Sequence, residues 1–197
     1  MGLVSMLLAT YTLWRRDIVR FYRQPSRIAG ALGTPVIFWL LLGSGLGTSF
    51  RAATQGATET GYLAYFYPGT LALILLFTAI FSTISVIEDR RDGFLQGVLV
   101  APVPRVSIAL GKIFGGATLA LLQAAIFLLL APAANVHLNW AMLPMLMVVL
   151  GALAFALTGL GFILAWMLDS TQGFHAVMNL FLLPMWLLSG AVFPADG

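Results

Sequence analysis

The feature that most constrains this chain is a series of long apolar runs that carry almost no charge. The first of them, residues 28–48, contains no Asp, Glu, Lys or Arg. A helix of about 20 apolar residues spans the ~30 Å hydrocarbon core of a bilayer. We therefore predict an all-α membrane protein with five transmembrane helices, at about 28–48, 63–87, 106–130, 140–168 and 174–193.

The composition argues against a soluble globule. Hydrophobic residues make up 60% of the chain and charged residues only 9%, whereas about a quarter of the residues in a soluble domain are charged. The chain has no cysteine, which excludes disulfides and thiolate metal sites. Its Lys and Arg residues do not alternate with aromatic residues on a polar face, so we expect no nucleic acid among its partners.

Residues 1–27 precede the first run and predict an amphipathic helix. One helical face collects apolar and aromatic residues, namely Leu3, Leu7, Tyr11, Trp14, Ile18 and Tyr22. The other face collects Thr12, Arg16, Arg20 and Arg23. Such a helix suits the membrane interface, with lipid as its partner, and a soluble helix packed on another protein is the alternative. Residues 28–197 form the predicted transmembrane domain.

The basic residues are distributed unevenly between the two sides of the membrane. If successive loops alternate sides, Arg51 falls on one side and all other basic residues on the opposite one: Arg15, Arg16, Arg20, Arg23, Arg27, Arg90, Arg91, Arg105 and Lys112. The positive-inside rule then makes the N-terminus and residues 88–105 cytoplasmic. Five spans place the C-terminus outside. We expect a multi-pass protein of the plasma membrane, here the bacterial inner membrane.

The segment 88–105, EDRRDGFLQGVLVAPVPR, is a charged island between the second and third apolar runs. Within it, apolar residues recur at helical spacing and predict a short helix with one apolar face: Phe94, Leu95, Val98 and Leu99. Pro102 and Pro104 end this helix before the next span. A short helix of this kind can dock in a groove on a partner, and a solvated charged loop is the alternative.

The chain contains no motif for catalysis or phosphate binding. Neither HExxH nor GxxxxGK[ST] occurs, and no ionisable residue lies at the middle of a predicted span, where ion-coupled pumps place one. Lys112 lies near the start of the third span, close enough to snorkel to the interface. We therefore predict no catalytic, cofactor or metal site. A transport subunit of this kind needs an external motor, which must act on segment 88–105 or on the N-terminal helix.

Small residues and prolines predict how the spans pack and where they bend. Gly111, Gly115 and Gly116 recur about one turn apart and predict a face that a second helix approaches closely. Pro184 and then Ser189-Gly190 interrupt the fifth run. That run either crosses as a kinked helix or ends in a re-entrant piece.

The order of these features resembles the membrane-spanning subunit of ABC-2 type ABC exporters. The resemblance rests on the Arg-rich helix ending at Arg23-Gln24-Pro25, on Pro35, on Tyr67-Pro68-Gly69 and on the island from Glu88 to Arg105. It covers essentially the whole chain. It implies a six-span fold, a dimer of permeases and two separate ATP-binding cassette subunits, which bind the ATP. Because only five spans are predicted, we expect a C-terminally truncated chain without the last helix.

The resemblance also implies which residues couple the spans to the ATPase partner. They lie in the island: Glu88, Asp89, Arg90, Arg91, Gly93, Phe94, Leu95, Leu99, Pro102 and Arg105. The residues assigned to the interfacial helix are Trp14, Arg16, Arg20 and Arg23. Export is the direction that the resemblance implies. The uncharged spans favour a lipophilic substrate.

Two other functions compete with a permease. A membrane-embedded lipid-modifying enzyme would need a cluster of acidic residues at one interface, and Glu88, Asp89 and Asp92 are such a cluster, able to hold Mg²⁺. Their interleaving with Arg90 and Arg91 favours ion pairing instead. A structural membrane subunit without transport is the second alternative.

Overall fold

The computed structural model describes residues 3–24, 32–33, 35–43, 45 and 62–191, and the regular structure of these residues is all helical. Its α-helices are α1 (Leu3–Tyr22), α2 (Tyr62–Ser82), α3 (Ile84–Arg91), α4 (Phe94–Val100), α5 (Arg105–Leu128), α6 (Leu143–Met167) and α7 (Thr171–Trp186). Residues 35–43 are also helical. Short 3₁₀ helices at Ala131–Ala134 and Trp140–Met142 connect α5 to α6, and a π-helical turn, Leu187–Ala191, follows α7.

Four helical stretches of the described chain are long and apolar enough to cross a membrane. They are Tyr62–Arg91, Arg105–Leu128, Trp140–Met167 and Thr171–Ala191. These stretches correspond to the second, third, fourth and fifth predicted spans. The first predicted span, at 28–48, is described only at residues 32–33, 35–43 and 45, so the five-span arrangement stays a prediction.

The second span extends further towards the charged island than we predicted. Helices α2 and α3 are separated only at Thr83, whose Oγ1 donates a hydrogen bond to the Ile80 carbonyl at 2.6 Å. Helical structure then continues to Arg91, one turn past the predicted end at Ile87. As a result, Glu88 and Asp89 are helical residues with fixed directions. They do not belong to a loop.

Helix α5 lies at the centre of the described bundle and packs against α1, α2 and α6. The close-packing face predicted from its glycines is confirmed. A Cβ atom on Gly116 would lie 2.1 Å from Ser82 Oγ and 2.6 Å from Thr158 Cγ2. A Cβ atom on Gly111 would lie 2.8 Å from Leu13 Cβ. Small residues therefore let α1, α2 and α6 approach the same central helix.

The two ends of the bundle differ in chemistry because α2 and α5 run antiparallel. At one end Tyr67 Oη donates a hydrogen bond to the Phe127 carbonyl at 2.9 Å, and their rings stack with centroids 4.8 Å apart. Trp186 of α7 reaches the same end, where its Nε1 donates to the Gly69 carbonyl at 2.8 Å. We call this the aromatic end. The opposite end contains α3, α4 and the start of α5.

Of the two interruptions predicted in the fifth apolar run, the one at Pro184 is wrong and the one at Ser189-Gly190 is confirmed. Helix α7 continues through Pro184 to Trp186. The non-helical residue is Gly190, with φ of 80°, and its carbonyl accepts a hydrogen bond from Tyr65 Oη at 2.7 Å. The bend therefore lies at Gly190, where α2 contacts this part of the chain.

Candidate functional site

Six charged side chains from three separate parts of the chain form one ion cluster. Its members are Arg16, Asp17 and Arg20 of α1, Glu88 and Asp89 of α3, and Lys112 of α5. Asp89 is at its centre and is only 1% exposed. Arg16 donates to both Asp89 carboxylate oxygens at 2.7 Å, in the bidentate geometry that guanidinium groups favour. Arg20 binds Asp89 and Glu88, each at 3.0 Å.

Lys112 does not snorkel to the interface, so that prediction is wrong. Its side chain is 2% exposed and its Nζ lies 2.9 Å from Asp17 Oδ1 and 2.5 Å from Asp89 Oδ2. A third contact, at 3.3 Å, goes to Ser85 Oγ. The ammonium group stays inside the bundle because two carboxylates compensate for the water it loses.

Three acidic and three basic side chains balance within the cluster. Burial raises the pKa of Asp17, and the attraction of nearby Lys112 opposes this shift. The hydrogen bonds to Asp89 raise the pKa of Arg16, whose charge is therefore secure at neutral pH. For Asp17, burial disfavours the ionised carboxylate more than the contacts with Lys112 and Arg16 favour it.

Helix α1 turns part of its polar side inwards. We had placed Arg16 and Arg20 on a polar face suited to the membrane interface, but both bind the acidic residues of α3. The predicted apolar face is largely exposed in the described chain, including Leu7 and Tyr11. Trp14 is half-buried, and its Nε1 donates to Thr118 Oγ1 of α5 at 3.0 Å. The charged partners on α3 and α5 therefore decide which face of α1 meets the bundle.

The short helix predicted in the island is α4, and α1 packs on it. The Arg16 guanidinium lies 3.7 Å from the centroid of the Phe94 ring, a cation–π arrangement. Leu95 is 2% exposed and packs with Leu13 and Ile108. The hypothesis that Leu95 docks directly on a partner does not fit this burial, because its side chain is covered by α1 and α5.

Arg90 points away from the ion cluster and binds the end of α6. Its Nη1 donates to the Trp166 carbonyl at 3.0 Å, and its Nη2 donates to the Leu168 carbonyl. Nη2 also lies 3.1 Å from the Asp169 carboxylate. A cation suits the C-terminus of a helix, where carbonyls are unpaired. Adjacent residues Asp89 and Arg90 thus attach α3 to opposite sides of the bundle.

The other predicted residues lie on the surface of this end. Arg91, Leu99, Pro102, Arg105 and Arg23 are exposed. Gly93 separates α3 from α4 and has φ of 75°, a conformation that residues with a Cβ atom rarely adopt. Beside Leu99, which is 42% exposed, Val100 is 86% exposed. The exposed surface of α4 therefore carries two adjacent apolar side chains that we had only partly identified.

Sequence reasoning missed Asp17 as a site residue and misread Lys112. The available signal was chemical: a lysine within an apolar span needs an acidic partner, and Asp17 is the one acidic residue of the predicted N-terminal helix. Spacing gave no help, because 95 residues separate the two. In the described chain, no group of three or more His, Asp or Glu residues is placed to hold a metal ion.

A cavity of about 580 Å³ lies beside the cluster, within the volume range of small-molecule sites. Its wall is mainly apolar and aromatic, with Phe38, Leu73, Phe77, Phe81, Leu183 and Trp186 among its residues. Polar groups are contributed by Thr78, Glu88, Thr171 and His175. The cavity is thus apolar along most of its wall, and Glu88, the acidic residue among its described lining residues, belongs to the ion cluster.

The fold and the charge distribution define a multi-pass helical membrane protein. The family model described as ABC-2 type transporter matches residues 9–197. The chain therefore belongs to the ABC-2 type transporter family, in which it is a non-catalytic permease subunit, and the family implies an ATP-binding partner subunit.

Two of the curated relatives that the chain matches are both called Nodulation protein J. The chain is 29% identical over 187 residues to Nodulation protein J of Rhizobium leguminosarum bv. viciae, covering 93% of this chain and 70% of the relative. It is 28% identical over 197 residues to Nodulation protein J of Neorhizobium galegae, covering 99% and 74%. No solved structure matches the chain closely.

Proposed function

We propose that this chain forms the transmembrane pathway of an ABC-2 type exporter and receives motion from a separate ATP-binding subunit through segment 88–105, the coupling segment. The observation that carries the proposal is the surface of α4. Leu99 and Val100 are exposed there, although Leu95 of the same helix is buried against α1 and α5. A short helix fixed on one side and apolar on its free side is suited to a groove on a partner.

The charge distribution supports a cytoplasmic position for the coupling segment. Each charged side chain of the described residues belongs to α1, to the residue after it, to residues 88–92, to the first half of α5 or to the α6–α7 connection. The positive-inside rule assigns such an end to the cytoplasm. We therefore propose a cytoplasmic N-terminus, α1 at the membrane interface in contact with lipid, and a bacterial inner membrane location.

The apolar cavity supports a lipophilic or amphipathic substrate. Its long wall runs along α2 and α7 and includes several aromatic rings, and Glu88 connects it to the ion cluster. Displacement of α3 would therefore change the shape of the cavity as well as the cluster. A pair of such permeases, as in the family, would place two of these walls in one transporter.

The acidic residues of the island offer little support for a lipid-modifying enzyme. Asp89 is bound by Arg16, Arg20 and Lys112, and Arg20 also binds Glu88. These cations occupy the carboxylates that Mg²⁺ would need. The permease function uses the same residues without displacing any of them.

The decisive experiment is co-expression with an ATP-binding subunit that carries a Walker A motif and is encoded in the adjacent reading frame. The complex is purified, and its affinity and ATP hydrolysis are measured for the unaltered chain and for Leu99→Ala/Val100→Ala. We expect the chain to raise ATP hydrolysis. We expect the double variant to weaken the complex at least about fivefold, because central interface residues contribute more than about 1 kcal/mol each.

A matched control pair lies at the aromatic end. Leu129 and Leu130 are adjacent exposed leucines, 76% and 37% exposed, beyond the C-terminus of α5. Leu129→Ala/Leu130→Ala removes a similar apolar area far from α4 and should leave the affinity unchanged. Equal affinities for both double variants, or no stimulation of ATP hydrolysis by the unaltered chain, would contradict the proposed function.

A further inference from the structure

The ion cluster contains one residue that no other part of the proposed mechanism requires, Lys112. It belongs to the membrane span α5, yet its ammonium group contacts Asp17 of α1 and both Asp89 and Ser85 of α3. Asp17 lies 95 residues from Lys112 in the sequence, and Asp89 lies 23 residues from it. Lys112 is therefore the point at which α1, α3 and a span meet through a single buried group.

The neighbourhood of Lys112 is shaped to bring α1 close. A Cβ atom on Gly111 would lie 2.8 Å from Leu13 Cβ, and one on Gly115 would lie 3.2 Å from Asp17 Cβ. The two glycines on either side of Lys112 thus remove the side chains that would keep α1 away. Lys112 attracts α1 to α5 through Asp17, and the two glycines let the backbones of these helices approach closely.

The balance of the cluster makes this attachment specific. Lys112 is shared by two carboxylates, whereas Asp89 retains Arg16 and Arg20 when Lys112 is removed. Among the described residues, the other cationic contact of Asp17 is weaker, since the Arg16 guanidinium lies 3.6 Å from its carboxylate. Loss of the lysine therefore leaves Asp17 poorly compensated, and α1 loses its ionic attachment to α5.

We propose that Lys112 is a positioning residue that fastens α1 and the end of α3 to span α5, so that displacement of the coupling segment reaches the membrane. The connection to transport rests on the proposed function. The fastening itself does not, and it is measurable on the full chain without any partner. Arg16 and Arg20 join α1 to α3, and the Lys112 ammonium group joins both of these helices to α5.

Limited trypsin digestion of the full chain in nanodiscs tests the fastening. Exposed Arg15 and Arg23 are cleavage sites on and just after α1, and cleavage requires local opening of the helix. We expect Lys112→Met to accelerate cleavage there at least tenfold. Lys112→Met/Asp17→Asn removes one base and one acid, keeps the cluster balanced, and should fold even where the single variant does not, with cleavage still at least threefold faster.

The matched control is Gln123→Met, which also replaces a buried polar side chain of α5 by methionine. Gln123 is 1% exposed, and its Oε1 accepts a hydrogen bond from Thr78 Oγ1 of α2 instead of binding the ion cluster. It should leave cleavage at Arg15 and Arg23 unchanged. Equal acceleration by Gln123→Met, or unchanged cleavage in both Lys112 variants, would overturn the proposal.

A covalent replacement of the ionic attachment separates positioning from general destabilisation. Asp17→Cys and Gly115→Cys place two Cβ atoms about 3.2 Å apart, close to the ~3.5–4.5 Å found in disulfides, and the chain has no other cysteine. In the Lys112→Met background this pair keeps the charge balance. Oxidation should restore slow cleavage and reduction should remove it again. Fast cleavage in the oxidised, cross-linked protein would refute a positioning role.

The same variants connect the fastening to ATP hydrolysis. With the ATP-binding subunit, Lys112→Met/Asp17→Asn should still form the complex, because Leu99 and Val100 are unchanged, but stimulation of ATP hydrolysis should fall at least threefold. The oxidised, cross-linked Lys112→Met/Asp17→Cys/Gly115→Cys variant should recover the stimulation. Unchanged stimulation would contradict transmission through Lys112. Absence of a complex with the unaltered chain would instead contradict the proposed function and leave the trypsin result standing.

Discussion

The two ends of the bundle are held together by different forces. At the charged end, six ionic side chains join α1, α3 and α5, with Asp89 and Lys112 almost fully buried. At the aromatic end, Tyr67, Phe127 and Trp186 join α2, α5 and α7 through ring contacts and bonds to backbone carbonyls. Removing one ion leaves an opposite charge buried, whereas removing one ring leaves only neutral neighbours. The charged end is therefore the more specific and the less tolerant of the two.

The largest expected effect is that of Asp89→Ala. This variant removes the carboxylate shared by Arg16, Arg20 and Lys112, and breaking a buried ion network costs about 3–5 kcal/mol of unfolding free energy. Equilibrium unfolding of the detergent-solubilised chain measures the loss. The control is Asp92→Ala, an exposed acid three positions on, which should stay within ~0.5 kcal/mol. Similar losses in both variants would mean that the cluster does not hold the charged end together.

Gly93→Ala is the next largest change and acts on the backbone between α3 and α4. With φ of 75° at Gly93, a side chain there should cost about 1–2 kcal/mol. Gly97→Ala is the matched control: Gly97 lies within α4 with nothing within 4 Å of an added Cβ atom, so alanine should stabilise the helix by up to ~1 kcal/mol. The two variants are compared by unfolding under the same conditions. Effects of the same sign would contradict this explanation.

At the aromatic end, Tyr67→Phe should reduce the free energy of unfolding less than Asp89→Ala or Gly93→Ala. It removes the hydrogen bond to the Phe127 carbonyl and keeps the stacked rings, so we expect a loss of about 0.5–1.5 kcal/mol. The Phe127 carbonyl also accepts a bond from the Leu130 amide, which limits the loss. Tyr11→Phe, at an exposed position, serves as the control. A loss as large as that of Asp89→Ala would remove the contrast between the two ends.

The smallest expected effect is a dependence of stability on pH that arises from Asp17. Burial raises the pKa of Asp17 in the folded chain. Lys112 and Arg16 lower this pKa, and Asp89 raises it further. Between the ordinary and the raised pKa the folded state binds more protons than the unfolded state, so this contribution to stability falls as the pH rises. The difference in unfolding free energy between the unaltered chain and Asp17→Asn, measured across the acidic range, isolates this contribution. A difference that grows more favourable to the unaltered chain with rising pH would show that Lys112 outweighs burial.

Much of the fold follows from local patterns. The apolar runs predicted all four spans of the described chain, and helical spacing in the island predicted α4. The spacing of Gly111, Gly115 and Gly116 predicted the close approach of other helices to α5. These features succeed because length, hydrophobicity and periodicity act within one segment. The predicted break at Pro184 is wrong, because α7 continues past the proline. The break predicted at Ser189-Gly190 is confirmed at Gly190, whose carbonyl is bound by Tyr65 of α2.

The candidate site was only partly predictable. Arg16, Arg20, Glu88 and Asp89 were selected for their charge and position, and the structure brings them together. Leu95 was assigned to a partner but packs on Leu13 and Ile108. Arg90, expected to pair within the island, binds the end of α6. Periodicity identifies the residues that share a helix face, but it does not identify the helix that this face meets.

The sequence by itself determined that this chain is a helical membrane protein, and it predicted that most of its basic residues lie on one side. Hydrocarbon excludes unpaired charge, so long uncharged apolar runs mark the spans before any tertiary contact is known. Only the tertiary structure decided that Asp89 binds α1 and α5, and that Lys112 stays inside the bundle. An ionic residue in a span is stable either at the interface or beside a counter-ion, and the close approach of α1 at Gly111 and Gly115 selects the second for Lys112.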